Sequence, residues 1–229
     1  MLFIKAMKVA DLKERAEMMV RQLEKEGQVL QPVCPKSKNM ATHFWGKAWM
    51  RHLSESEVYG MRLAPGRTYL RNGCVLDVSI NEGRVDALVM GEYLYEVHIN
   101  IAPLDEEAVV NLQNRCAGRI GSWVDLLQGQ LSDDLLHLLC DVDAGVLPDM
   151  GGWRMSCTCP DYADPCKHAS AVLYAVGVLL DESPELLFTL RGIRMEQLLP
   201  ALNHKQGGEC TNSLDGKDLS SLFGIDLEG

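Results

Sequence analysis

The placement of cysteine constrains this chain more than any other feature. Between Met155 and Ala169 it reads MSCTCPDYADPCKHA, so Cys157, Cys159, Cys166 and His168 fall within twelve residues as Cys-x-Cys-x6-Cys-x-His. On an extended strand the i and i+2 side chains share a face, so Cys157 and Cys159 can offer both sulfurs to one point. The intervening PDYADP is rich in turn formers and can fold the chain back. Cys166 and His168 then open the apolar stretch ASAVLYAVGVLLDE, which reads as a helix. At its first turn, free N–H groups and the helix dipole favour thiolate over thiol.

Three thiolates and one imidazole are the donor set of a four-coordinate structural zinc site. Such a shell is closed: it leaves no position for a reactive water, so the expected role of one bound Zn2+ is to hold shape rather than to do chemistry. In small zinc modules the metal contributes on the order of 10–16 kcal/mol, much of it expressed as folding free energy. Other uses of these residues fit less well. A thioredoxin-like dithiol wants Cys-x-x-Cys beside a βαβ pattern. A zinc deaminase wants a preceding His-x-Glu, and iron–sulfur ligands are normally spaced more widely.

Compartment bears on the remaining cysteines. No apolar run reaches the roughly 18–20 residues of a membrane helix. The opening MLFIKAMKVADLKERAEMMV brings in charge too early for a secretory signal. The expectation is a cytoplasmic protein with no membrane partner, in which Cys34, Cys74, Cys116, Cys140 and Cys210 are small buried or idle thiols rather than disulfides. The net charge of −10 excludes a uniformly basic nucleic-acid binder, but the charge is unevenly spread. From Lys36 to Arg71 seven Lys/Arg face two Glu, a local balance of +5, whereas Asp105 to Asp149 carries −7. Lys47, Arg51, Arg67 and Arg71 on the basic flank are the candidate nucleic-acid contacts. Trp45 and Trp49 lie in the same basic segment, either as core anchors or as stacking platforms. The sequence shows no nucleotide-binding glycine loop, no triad-like arrangement and no carboxylate pair framed by a pocket signal, so the chain reads as a non-enzyme with no small-molecule substrate.

Periodicity orders the rest. Residues 8–27 place Leu12, Met19 and Leu23 at helical spacings up to Gly27, and QPVCPKSKN reads as a linker. ATHFWGKAWMRHLSE is a second helix with Trp45 and Trp49 on one face. Three alternating runs follow: Leu76, Val78 and Ile80; Val85, Ala87 and Val89; and Tyr95, Val97, Ile99 and Ile101. They predict a three-stranded antiparallel meander with one buried face, on which His98 points outward. Asp105-Glu106-Glu107 starts a helix, two more follow over Ile120–Gln128 and from a Ser132 cap, and DAGVLPDMGG is a loop. His137 is read as a structural histidine. Ser183-Pro184-Glu185 caps a further helix ending near Gly192.

With these residues in place, the cluster and its apolar helix resemble the SWIM zinc finger. FWGKAW, RTYLRNGCVLDVSI, YEVHINIAPL, RCAGRIGSWVDLLQGQLSD, CTCPDYADPCKHASAVLYAVG and PELLFTLRG all look like the bacterial SWIM zinc finger family proteins, from about Ala41 to Leu199. The resemblance implies Cys157, Cys159, Cys166 and His168 as ligands, a ββα finger, and binding of DNA or protein in the company of a SWI/SNF-type helicase. A purely protein-binding adaptor with no DNA contact is the alternative. The expected architecture is α+β: an N-terminal helix and linker (1–40), an α+β body (41–150), the finger (151–182), C-terminal helices (183–202) and a disordered tail (203–229).

Overall fold

The computed structural model describes residues 9–36, 39–56 and 59–198. The expected tail, and Cys210 with it, lies outside the described residues. Helix α1 (Val9–Lys25) is followed by an extended segment, α2 (Phe44–Glu55), a 3-10 turn (Gly60–Leu63) and α3 (Ala64–Arg71). Strands β1 (Val75–Asn81), β2 (Arg84–Met90) and β3 (Leu94–Asn100) form the meander. Helices α4 (Glu106–Cys116), α5 (Trp123–Gln128) and α6 (Asp133–Leu139) come next. The described residues end with β4 (Arg154–Cys157), α7 (Lys167–Glu182), α8 (Glu185–Leu190) and α9 (Met195–Leu198).

The alternation in the sequence becomes an antiparallel sheet of order β1-β2-β3-β4. Tight turns suit the two hairpins: Gly83 adopts φ +69° beside Glu82, where a β-branched residue would be strained. The strand expected at the first two cysteines joins the three-stranded meander as its fourth member. Cys157 pairs with Val97, Ser156 with His98, Met155 with Ile99 and Arg154 with Asn100. The ββα arrangement is therefore made by β3, β4 and α7, and its first strand belongs to the meander.

One register detail departs from simple alternation. A bulge between Val75 and Asp77 leaves Leu76 out of the face shared by Val78 and Ile80. Leu76 instead packs, fully buried, with Ala16 and Leu23 of α1 and with Met90. The amphipathic helix α1 thus finds its apolar partner on the outer face of the sheet.

Helix α7 occupies the middle of the molecule, with the sheet on one side and α2 and α3 on the other. Every residue from His168 to Val178 is buried, as expected of a helix apolar all round. Trp45 and Trp49 are completely buried, and their indole N–H groups donate to the carbonyls of Leu126 and Leu173 at 2.8 Å each. They are core anchors, and neither presents a face for stacking a base. Asp105 caps α4 by accepting from the Ala108 N–H at 2.7 Å. Ser132 stands at the start of α6 without a side-chain capping bond. His98 is half-buried rather than exposed, because its Nδ1 pairs across the strands with Asp86. His137 is exposed, and Cys74 and Cys116 are buried as small apolar groups. Among the described residues no helix is long and apolar enough to cross a membrane.

Candidate metal centre

Each predicted ligand is placed by its own local device. Thr158, between the first two cysteines, holds the Cys-x-Cys segment against β3. Its N–H donates to the Glu96 carbonyl at 3.1 Å, and its hydroxyl accepts from the Glu96 N–H at 3.0 Å. The chain then turns back through Pro160–Pro165, where the Asp161 carboxylate accepts from the Ala163 N–H at 3.0 Å. Cys166 is the N-cap residue of α7, its sulfur accepting from the Ala169 N–H at 3.4 Å. That bond takes up one of the orphan N–H groups at the helix start and favours the thiolate.

The ligand atoms of Cys157, Cys159, Cys166 and His168 all lie within 4.8 Å of one another. A tetrahedral zinc shell places neighbouring ligand atoms at about 3.5–3.8 Å, so closing on the ion takes a contraction of about 1 Å or less. Nδ1 is the ring nitrogen of His168 turned towards the sulfurs, 3.8 Å from Cys157 Sγ. The donor set, its closeness and the orientation of the imidazole fit one structural Zn2+. Among the described residues no other group of His, Cys, Asp and Glu gathers in this way.

The sulfurs are electrostatically unequal. A hydrogen bond from the Cys157 thiol, then contacts with His168 and the Ala169 N–H, pull the Cys166 pKa down against the opposing effect of burial. The Cys157 thiol is pushed up, first by being the donor in that bond and then by burial. Burial also raises Cys159. One sulfur is thus poised as thiolate, and the two others surrender their protons when a cation replaces them.

The surroundings of His168 were not legible in the sequence. Its ring lies 4.4 Å from the Tyr95 ring and 5.2 Å from that of Tyr69, and Nε2 is buried without a hydrogen-bond partner. A β-carbon at Gly91 would come within 2.7 Å of Nε2, so only glycine lets the β2–β3 turn close over the imidazole. Most zinc-binding histidines are oriented by a hydrogen bond from the second nitrogen. Here two aromatic walls and a bare backbone do that work. The Lys167 ammonium lies 5.5 Å from the centre of the Tyr69 ring.

The four basic candidates lie apart from this centre. Lys47 and Arg51 are exposed one turn apart on α2, on the side opposite the buried tryptophans. Arg67 and Arg71 are exposed on α3. The Arg67 guanidinium is already engaged with Tyr174, donating from Nε to its hydroxyl at 2.9 Å and lying 5.2 Å from its ring centre.

Residues 155–177 match the SWIM zinc finger family model, so the chain carries a SWIM zinc finger with a Cys3His site for one structural Zn2+. Over 166 residues it is 29% identical to an uncharacterized protein of Mycobacterium tuberculosis, an alignment covering 71% of this chain and 60% of that protein. The chain thus spans less than two thirds of that relative's length. No solved structure matches it.

Proposed function

We propose that this SWIM finger protein is a non-catalytic interaction module. In this reading the zinc staples β4 to α7 and the finished surface docks onto a protein partner, a SWI/SNF-type helicase being the class the family resemblance suggests. The supporting observation is the burial of Trp45 and Trp49. It removes the aromatic half of the basic, aromatic-interleaved segment that would suit single-stranded nucleic acid. Arg67, tied to Tyr174, is further spent on an internal contact.

A second reading, nucleic-acid association, is favoured by the exposure of Lys47 and Arg51 one turn apart on α2, with Arg67 and Arg71 on α3. Salt separates the two. Binding through several phosphate contacts weakens steeply as salt rises. A salt-titrated assay of the zinc-loaded protein with duplex and single-stranded DNA is expected to show no association even at low salt. Salt-sensitive binding that disappears in a Lys47→Ala/Arg51→Ala variant would establish the second reading in place of the first.

A further inference from the structure

Among the described residues strand β4 is the last in the sheet order, and its outer edge faces a groove rather than another strand. Hydrogen-bond parity shows which main-chain groups it offers. The Thr158 N–H bonds to the Glu96 carbonyl, so in an antiparallel ladder Ser156 and Arg154 also turn their main-chain groups towards β3. The Ile101 N–H donates to the Gly83 carbonyl, which assigns the alternate positions of β3 to β2 and agrees with that parity. The N–H and C=O of Met155 and Cys157 therefore point away from the sheet.

These groups border a groove of about 270 Å³, walled on its far side by Asp161, Tyr162, Ala163 and Asp164 of the metal-held loop. The charged residues among its lining are Asp161 and Asp164. Cys157 and Cys166 also line it, so the zinc–thiolate centre, with one net negative charge, adds to the negative potential. Among the described residues neither carboxylate forms an ion pair: Arg62 donates to the main-chain carbonyl of Asp164 at 3.0 Å, Lys167 lies over Tyr69 although it still feels the charge of Asp161, and Arg154 belongs to the outer face of the sheet. Tyr162 is fully exposed at the rim, with 102% relative accessibility.

We infer that this edge and groove dock an extended, basic segment of a protein partner, which joins the sheet as a fifth strand beside β4. Main-chain pairing with Met155 and Cys157 supplies affinity, as in other cases of strand addition. Alternate side chains of the added strand point into the groove, where a lysine or arginine meets Asp161 and Asp164 and lies against the Tyr162 ring. The inference rests on the interaction-module reading above and names its site and the chemistry of its partner.

The test uses zinc-loaded full-length protein and a fluorescein-labelled peptide, Val-Lys-Val-Lys-Val-Lys, followed by anisotropy. Saturable binding is expected, weakened about tenfold or more by Asp161→Asn/Asp164→Asn and by Tyr162→Ala, all exposed positions. Met155→Pro removes the outward N–H together with a half-buried side chain packed on the core, so it is compared with Met155→Ala, which keeps the N–H; the proline variant is expected to bind the peptide more weakly than the alanine variant at equal zinc content. A glutamate version of the peptide, and one N-methylated on alternate amides, should not bind. No saturable binding, equal binding of the lysine and glutamate peptides, or indifference to the aspartate pair would overturn the groove assignment and leave the module reading to other surfaces. Binding of a DNA duplex that is lost in Tyr162→Ala would overturn both.

Discussion

Gly66 offers the sharpest test of how the finger is held. It lies on α3 against α7, and a β-carbon there would sit 2.5 Å from the carbonyl carbon of Ser170 and 2.6 Å from the nitrogen of Ala171. Comfortable contact begins at about 3.5 Å, so Gly66→Ala requires the two helices to part by roughly 1 Å. Both obstacles are main-chain atoms within a helix, and no rotamer change moves them. Overpacking of this kind costs about 1–3 kcal/mol, and the stiffness of the obstacle sets it near 3 kcal/mol. Replacing a helical glycine returns about 1 kcal/mol, leaving a net loss of about 2 kcal/mol. In a chain of this length that is a fall in Tm of roughly 4–8 °C. The displacement also reaches the metal, because the Ser170 hydroxyl bonds to the carbonyls of Cys166 and Arg62 at 2.9 and 3.2 Å. Urea denaturation of zinc-loaded protein, paired with zinc competition against a chromophoric chelator, measures both effects. Gly152→Ala is the control, since nothing lies within 4 Å of its β-carbon, and it should stay within about 0.5 kcal/mol of wild type. If Gly66→Ala matched that control in stability and zinc affinity, the close α3–α7 contact would be refuted.

Trp49→Ala should cost about 3–5 kcal/mol, because it empties a fully buried site stacked on Trp153 and removes the indole bond to the Leu173 carbonyl; a loss below about 1 kcal/mol by denaturant titration would return Trp49 to the surface. Asp181 governs an acid-side dependence. Partial burial raises its pKa, but the N–H groups of Thr42 and His43, the Thr42 hydroxyl and the His43 side chain outweigh that and hold it below the usual carboxylate range. A depressed folded pKa stabilises the fold above the unfolded value of about 3.9, and the benefit is lost as pH falls through the folded value. Asp181→Asn should therefore cost about 1–3 kcal/mol at neutral pH and converge with wild type in acid; parallel stability curves from pH 7 to pH 2 would contradict the assignment.

The metal site was readable because its information is local: spacing, turn formers and an apolar helix all lie within Met155–Glu182. Three strands were readable because each alternates over several residues. The remaining features depend on contacts distant in sequence. RMSC is too short to show a period, so the pairing of β4 with β3 emerges only in the fold. APGRTYLR carries a proline and a glycine that argue against a helix, yet Pro65 sits in the first turn, where it is tolerated, and Gly66 is where α7 crosses. The Leu76 bulge and the Asp86–His98 pair are matters of register between strands. Gly91 gives no signal and Tyr95 reads only as a strand position, since nothing in GEYLYE announces that His168 will pack beneath it.

The central claim is that one zinc ion at Cys157, Cys159, Cys166 and His168 ties β4 to α7, and a single measurement tests it most directly. Elemental analysis of the purified protein, followed by thermal melts with and without a strong chelator, should give about one zinc per chain and a cooperative melt that collapses or drops sharply when the metal is removed. The Cys166→Ala variant should already lack both the zinc and the chelator response. Zinc-free wild-type protein with a cooperative, chelator-insensitive melt would contradict the account.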